Sequence, residues 1–251
     1  MSDIIIAYDV LRVINAKPLF AKDHYIRLSN SVTSVDPTIN FSEELFLSHI
    51  LKVIKSNNLI NGNIKTIIQI DKRKKSYTID CKEIPHHYPS DNDYQNGINT
   101  ITYTFTRENP HNKIWNQELR EITDKMIAAN NIFEVLYVNK EGHLTEGSRS
   151  NLFFINNNEL ISAPSTEILL GVTRKFIIED AIKTGLKLIE KKISLDEISN
   201  YKSAFISGTS PKILPVKKIN KIKFDVKNVL LERLMYNFDI HIKKDIDNFV
   251  F

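Results

Sequence analysis

Apolar and polar positions alternate along this chain with two periods, and the switches between them outline its elements. From Phe133 to Ile155 the period is two. Phe133–Val138 reads as a strand rich in β-branched and aromatic residues, Asn139-Lys140-Glu141-Gly142 as a turn, and His143–Gly147 and Asn151–Ile155 as two further strands. Ile4–Ile6, Leu11–Ile14, Ile64–Ile70, Tyr77–Cys81, Ile98–Thr106, Leu186–Ile193 and Ser203–Ile206 have the same character. Ile4–Ile14 is open to reading as one strand or two.

Elsewhere the period is 3.6. Between Leu19 and Ser31, residues Phe20, His24, Arg27, Leu28 and Ser31 share one helical face. A helix starting at Asn40, with Glu43 three residues on, carries Leu45, Ile50, Leu51, Val53 and Ile54. Another, from about Asn116, buries Leu119, Ile122, Met126 and Ala129. Thr173 is the expected cap of a helix over Phe176–Ile182 that Gly185 stops, and Val226–Phe238 is the last helix. Ser194–Glu197 is a capping box for a short helix, and Asp91–Gly97 is polar, a candidate mobile loop. Arg107–Asn112 is polar and holds a proline after a long strand, which marks a crossover. The expected organisation is therefore an N-terminal domain over 1–106, a crossover at 107–112 and a larger domain over 113–251.

Composition narrows the function classes. Hydrophobic content of 42%, charged content of 25% and a net charge of +4 are those of an ordinary globular protein with real cores. Lys72-Arg73-Lys74-Lys75 is the one dense basic run; it reads as a solvated hairpin tip, without the interleaved aromatics of a nucleic-acid surface. The single cysteine, Cys81, excludes a disulfide within one chain and reads as a buried small hydrophobe. His86 and His87 point to opposite faces of an extended segment, so no shared metal is expected. No stretch approaches the ~18 apolar residues of a membrane span. The N-terminal segment lacks a signal-peptide pattern, so a cytoplasmic protein without membrane or nucleic-acid partners is expected.

Four places carry candidate chemistry. Glu146 ends an apolar hairpin, either as a solvated carboxylate or as one aimed into a pocket. His24 and Arg27 share a stripe with Phe20 and Leu28, either snorkelling to the surface or facing an anion. Gly171 precedes a helix start, where free N–H groups of Val172 and Thr173 and the positive dipole end suit an anion. Ser207-Gly208-Thr209-Ser210 follows an apolar strand as a second donor-rich cradle.

Together these stretches resemble the fold-type IV pyridoxal-phosphate enzymes, the class IV aminotransferases. That family includes branched-chain and D-amino-acid aminotransferases and aminodeoxychorismate lyase. Leu144-Thr145-Glu146-Gly147 through Asn151-Leu152-Phe153 is similar to its glutamate motif. Leu170-Gly171-Val172-Thr173-Arg174 is similar to its phosphate turn, Phe205–Ser210 with Pro215-Val216 to its second phosphate loop, and His24-x-x-Arg27-Leu28-x-x-Ser31 to its H-x-x-R-L-x-x-S helix. Four such motifs in order cover nearly the whole chain. The fold implied is α/β (α+β): a small α/β domain and a larger pseudo-barrel domain, with the cofactor between them, in a homodimer.

The resemblance also implies roles. Lys113, 33 residues before Glu146, is the lysine placed to form the Schiff base with pyridoxal 5′-phosphate and to shuttle the substrate Cα proton. Glu146 would hold the proton on the pyridine nitrogen. Arg27, Val172, Thr173, Gly208, Thr209 and Ser210 would bind the phosphate. There are departures as well. Relative to the family the N-terminus is expected to be trimmed, with Tyr8-Asp9 where Phe-Glu falls, and Lys72-Arg73 stands in place of an Arg-Gly pair. Tyr8, Lys72 and Arg73 are thus the candidate substrate contacts. The activity implied is transfer of an amino group between an amino acid and a 2-oxo acid. The alternatives are a lyase that eliminates pyruvate from aminodeoxychorismate and a non-catalytic binding or scaffold protein that keeps the fold.

Overall fold

The computed structural model describes residues 4–250; residues 1–3, at the start of the expected first domain, and Phe251, at the end of the second, lie outside the described residues. The chain divides into two compact units. One comprises the residues up to His87, Asn112–Trp115 and those from His241 on; the other comprises Tyr88–His111 and Asn116–Ile240. Residues 88–106, expected in the first domain, thus belong to the second unit, while Lys113 belongs to the first. The reason is backbone pairing: Ile98–Thr104 lies within the second unit's sheet, whereas Lys113 and Trp115 hydrogen-bond along the first strand.

The first unit contains β1 (Ile4–Ile14), β2 (Lys17–Pro18), α1 (Ala21–Val35), α2 (Glu43–Asn57), β3 (Gly62–Asp71) and β4 (Ser76–Ile84), with sheet order β2-β1-β3-β4 and antiparallel pairing. Ile4–Ile14 is one continuous strand because Ala7, Leu11 and Val13 alternate into a single core. Ile64, Ile68 and Ile70 join them there, facing Leu28 and Val32 of α1 and Phe46, Ile50 and Ile54 of α2. Each such side chain contributes roughly 1.5–3 kcal/mol by leaving water. The second helix starts at Ser42 rather than Asn40, since the Leu45 N–H donates to Ser42 Oγ at 3.2 Å. Lys72–Lys75 form the exposed β3–β4 tip. Cys81 is half-buried; burial, partly offset by the Thr66 hydroxyl, pushes its thiol pKa up to about 11.

The second unit contains α3 (Asp91–Asn96), β5 (Ile98–Thr104), α4 (Gln117–Asn130), β6 (Glu134–Val138), β7 (His143–Gly147), β8 (Asn151–Asn156), β9 (Glu159–Ser162), α5 (Val172–Lys183), β10 (Lys187–Glu190), β11 (Ile193–Ser194), β12 (Ser203–Gly208), β13 (Lys212–Ile219) and β14 (Ile222–Lys223). Helix α6 (Val229–Asn248) begins in this unit, and its residues from His241 belong to the first. The strands β8-β12-β13-β5-β6-β7 run in that order, and β7 pairs back onto β8, so they close a barrel. Closure rests on the pair Glu146↔Asn151. Leu136, Leu144, Leu152, Phe154, Ile206 and Leu214 fill this unit's core.

Several local expectations change. Asp91–Asn96 is a short helix rather than a loop, because Ser90 and Asp93 form a reciprocal capping box. Ser194–Glu197 starts no α-helix; Glu197 turns back to the Ser194 N–H at 3.3 Å and a single 3-10 turn follows. Ala129 is exposed, and Thr123 is the residue of α4 that is fully buried. The last helix runs on to Asn248, since Ile242 and Ile246 continue its buried stripe. Among the described residues no helix is long and apolar enough to cross a membrane, and no cluster of three or more His, Cys, Asp or Glu could hold a metal.

Candidate active site

In the first unit, Lys113 is stitched to β1 and α1 through its backbone. Tyr8 N–H donates to Lys113 O at 3.0 Å, Trp115 N–H donates to Ile6 O at 2.8 Å, and Ala7 and Ile114 form an isolated bridge. Lys113 N–H donates to Ser31 Oγ at 3.1 Å, and that hydroxyl donates to Arg27 O at 3.0 Å. The lysine is therefore held by the helix turn that carries Arg27. Its Nζ stands 5.1 Å from the centroid of the Tyr8 ring.

One turn apart on α1, His24 and Arg27 converge on Asp9, which sequence reasoning noted only as a departure. Arg27 Nε donates to Asp9 Oδ2 at 2.7 Å and Nη2 to Oδ1 at 2.8 Å, the paired geometry of guanidinium and carboxylate. His24 Nδ1 lies 2.7 Å from Asp9 Oδ1. Burial alone would raise the Asp9 pKa, but Arg27 and His24 outweigh it and hold the carboxyl well below the usual carboxylate range. Burial lowers the His24 pKa against the pull of Asp9, with Arg27 and Lys113 lowering it further. At neutral pH the imidazole is thus neutral, with Nδ1–H donating to Asp9.

Of the expected substrate contacts, Tyr8 lies in this cluster, edge-on to Trp115 with centroids 5.2 Å apart. Lys72 and Arg73 do not; they occupy the exposed β3–β4 tip. The lysine brought to Tyr8 is Lys65 in the middle of β3, with Nζ 4.9 Å from the Tyr8 centroid and 3.4 Å from that of Trp115. The signal for it was a lone lysine inside the apolar run that begins at Ile64.

In the second unit, Glu146 is buried at the barrel's closing pair, which excludes the solvated reading. Its Oε1 accepts from Arg107 Nε at 2.8 Å and its Oε2 from Leu169 N–H at 3.0 Å. Asn151 Nδ2 donates to Leu169 O at 2.7 Å. Both backbone groups of Leu169 are therefore held by the closing pair, and this fixes the approach to α5. In the sequence, Arg107 reads as crossover and Asn151 only as part of the glutamate motif. A third buried residue, Glu134, fixes the β7–β8 turn. It accepts from Ser148 Oγ at 2.6 Å, Ser150 Oγ at 2.9 Å, Arg149 N–H at 3.2 Å and Val135 N–H at 2.9 Å.

Helix α5 starts two residues earlier than expected. Gly171, not Thr173, is its N-cap, and no side chain caps it. A β-carbon at Gly171 would fall 2.2 Å from Asn151 Oδ1, so a larger residue there would have to displace that amide. The N–H groups of Val172 and Thr173 belong to this uncapped first turn, at the helix's positive end. In register, Ser207 of β12 lies opposite Asn151 of β8, which lies opposite Glu146 of β7. The Ser207 hydroxyl is buried without a protein partner. Gly208, which ends β12, and Thr209 and Ser210, in the turn to β13, follow it and are partly exposed. An uncapped helix start, an orphaned hydroxyl and a buried carboxylate on adjoining strands fit a ligand with an anionic group and a protonated ring nitrogen.

The chain is similar to known proteins over most of its length. The sequence profile of amino-transferase class IV matches residues 7–219. The D-alanine aminotransferase of Bacillus licheniformis is 25% identical over 227 residues, covering 85% of this chain and 78% of that protein. A probable branched-chain-amino-acid aminotransferase of Rickettsia felis is 28% identical over 229 residues, covering 85% and 79%. Among solved structures, a putative 4-amino-4-deoxychorismate lyase from Legionella pneumophila superimposes with a TM-score of 0.85 at 22% identity, covering 94% of this chain and 91% of that one, which shows the shared fold. With a barrel closed at a buried glutamate and a profile match over most of its length, the chain belongs to the class IV aminotransferases, a family of pyridoxal-phosphate enzymes of fold type IV.

Proposed function

We propose that the protein is an aminotransferase that moves an amino group between an amino acid and a 2-oxo acid, with Lys113 as its nucleophile. The observation that carries this is the anchoring of Lys113: its backbone is tied to β1 and, through Ser31, to the turn of α1 that bears Arg27. Pyridoxal phosphate, when bound, supplies a carbonyl that condenses with amines and a ring that withdraws electrons from a substrate's Cα. With the cofactor bound, the Lys113 amine would be the group that holds it covalently, and once the substrate amine has taken that place its Nζ would carry the substrate's Cα proton. Glu146, paired with Arg107, would hold a proton at the ring nitrogen. Arg27, the Val172 and Thr173 N–H groups, and Gly208, Thr209 and Ser210 hold the phosphate. Tyr8 packs beside the reacting lysine, and Lys65, next to the same ring, takes the substrate-carboxylate role first given to Lys72 and Arg73. The working form is a homodimer.

The test is the visible spectrum of purified protein given pyridoxal phosphate and stripped of excess. Wild type should hold a yellow band that borohydride fixes to Lys113, and Lys113→Ala should hold none. A colourless wild type would leave the scaffold reading. A yellow enzyme that releases pyruvate from aminodeoxychorismate without a 2-oxo acid, and passes no amino group when given one, would replace transfer by elimination.

A further inference from the structure

The C-terminal end of α6 meets the start of α1, the helix that carries His24 and Arg27. Helix α1 begins badly by local rules. Its N-cap is Phe20, in the left-handed region at φ 51° and ψ 38°, with no side-chain acceptor for the first orphan N–H groups. The acceptor comes from 225 residues away: Phe20 N–H donates to Asp245 Oδ2 at 2.7 Å. In return, Lys17 Nζ donates to Ile246 O at 2.8 Å in the last turns of α6. An anion thus sits at the positive end of α1 and a cation at the negative end of α6, the favourable sense for both dipoles. Ile242 and Ile246 are buried, and all of these residues belong to the first unit.

From this reciprocal capping we infer that Asp245 is a positioning residue for the cofactor phosphate, acting through Arg27. The chain of contacts is short. The carbonyl of Phe20 accepts the His24 N–H at 3.1 Å, so the residue that Asp245 holds also sets the first turn of α1. One turn on, Arg27 must reach Asp9 with two nitrogens while presenting the rest of its guanidinium to an anion. Leu28 and Val32 fix how far the helix stands from the sheet; the Asp245 contact fixes where along its axis it starts. Loss of that contact lets α1 fray from Phe20 and loosens the guanidinium.

The inference rests on the proposed cofactor role, and the experiment separates the two. Dissociation constants for pyridoxal phosphate and for unphosphorylated pyridoxal are measured on the full-length apoprotein by absorbance titration. Folding of each variant is checked by circular dichroism. In Asp245→Ala, pyridoxal phosphate binding should weaken about fivefold, the scale of a lost helix cap, while pyridoxal binding stays unchanged. Asp245→Asn, which keeps an oxygen acceptor, should return to within about twofold of wild type. In an Arg27→Ala background, Asp245→Ala should change nothing further. Should Asp245→Ala fail to fold, Lys17→Met removes the other half of the capping pair, and the ratio of the two constants should move about threefold the same way. If both ligands weaken equally, or the ratio stays put in either variant, Asp245 is merely structural and the inference is overturned. A wild-type protein that takes up neither ligand overturns the cofactor reading itself.

Discussion

The two units hold their charged groups by different means. In the first unit, Asp9, His24 and Arg27 form a buried knot of side chains with a full positive and a full negative charge. In the second, the candidate anion cradle is mostly backbone: an uncapped helix start, at a glycine whose β-carbon position is crowded by Asn151 Oδ1. A knot of charges depends on each partner, because removing one leaves the other buried and uncompensated. A backbone cradle has no partner to lose. It is lost when something fills the space through which the backbone approaches.

Substitutions can break this contrast, beginning with the largest effect. Asp9→Asn should destabilise the protein by about 3–5 kcal/mol in denaturant unfolding, because Arg27 then has no buried counter-charge. The pH dependence sharpens the point. The depressed Asp9 pKa lends stability that is complete above the unfolded carboxylate pKa of about 4, and loses it as the pH falls from there through the native value. The gap between wild type and Asp9→Asn should therefore be constant near neutrality and narrow below about pH 4. A gap that widened in acid would mean the ion pair is not the source.

Gly171→Ala comes next, at about 1–3 kcal/mol, since the added methyl overlaps the Asn151 amide. Asn151→Ser should relieve the overlap in the double variant, at the expense of the Leu169 contact. Its readout is a double-mutant cycle in thermal unfolding, where simple additivity would show that the overlap is not what excludes alanine.

The smallest effect concerns substrate. Lys65→Met should raise KM about tenfold, the loss of one charge-assisted contact, with kcat changed less. Lys72→Ala and Arg73→Ala, at the exposed tip, should move KM by under about twofold. The reverse ranking would restore the sequence-based assignment.

Much of this was legible in the sequence because it is local. The period of two over Phe133–Ile155, the Gly171-Val172-Thr173 turn and the His24–Ser31 stripe depend on neighbours a few residues away, and their motifs sufficed to suggest the family. Asp91–Asn96 escaped because its cap, Ser90 with Asp93, sits among polar residues that also suit a loop. The end of α6 escaped because only two apolar positions, Ile242 and Ile246, extend its stripe among charges.

What the sequence determined by itself was the set of chemical groups and the elements that bear them: Lys113 before a helix, Glu146 at a strand end, a glycine before α5. Only the tertiary structure decided which groups meet. Asp9 to Arg27, Arg107 to Glu146, Asn151 to Leu169, Lys65 to Tyr8 and Asp245 to Phe20 are contacts between residues 18 to 225 positions apart or on different strands. Local propensity carries no information about such pairs. For Tyr8, Asp9, Lys65, Glu146 and Asn151 they are set by strand register and barrel closure, in which a shift of one residue would turn the side chain to the opposite face.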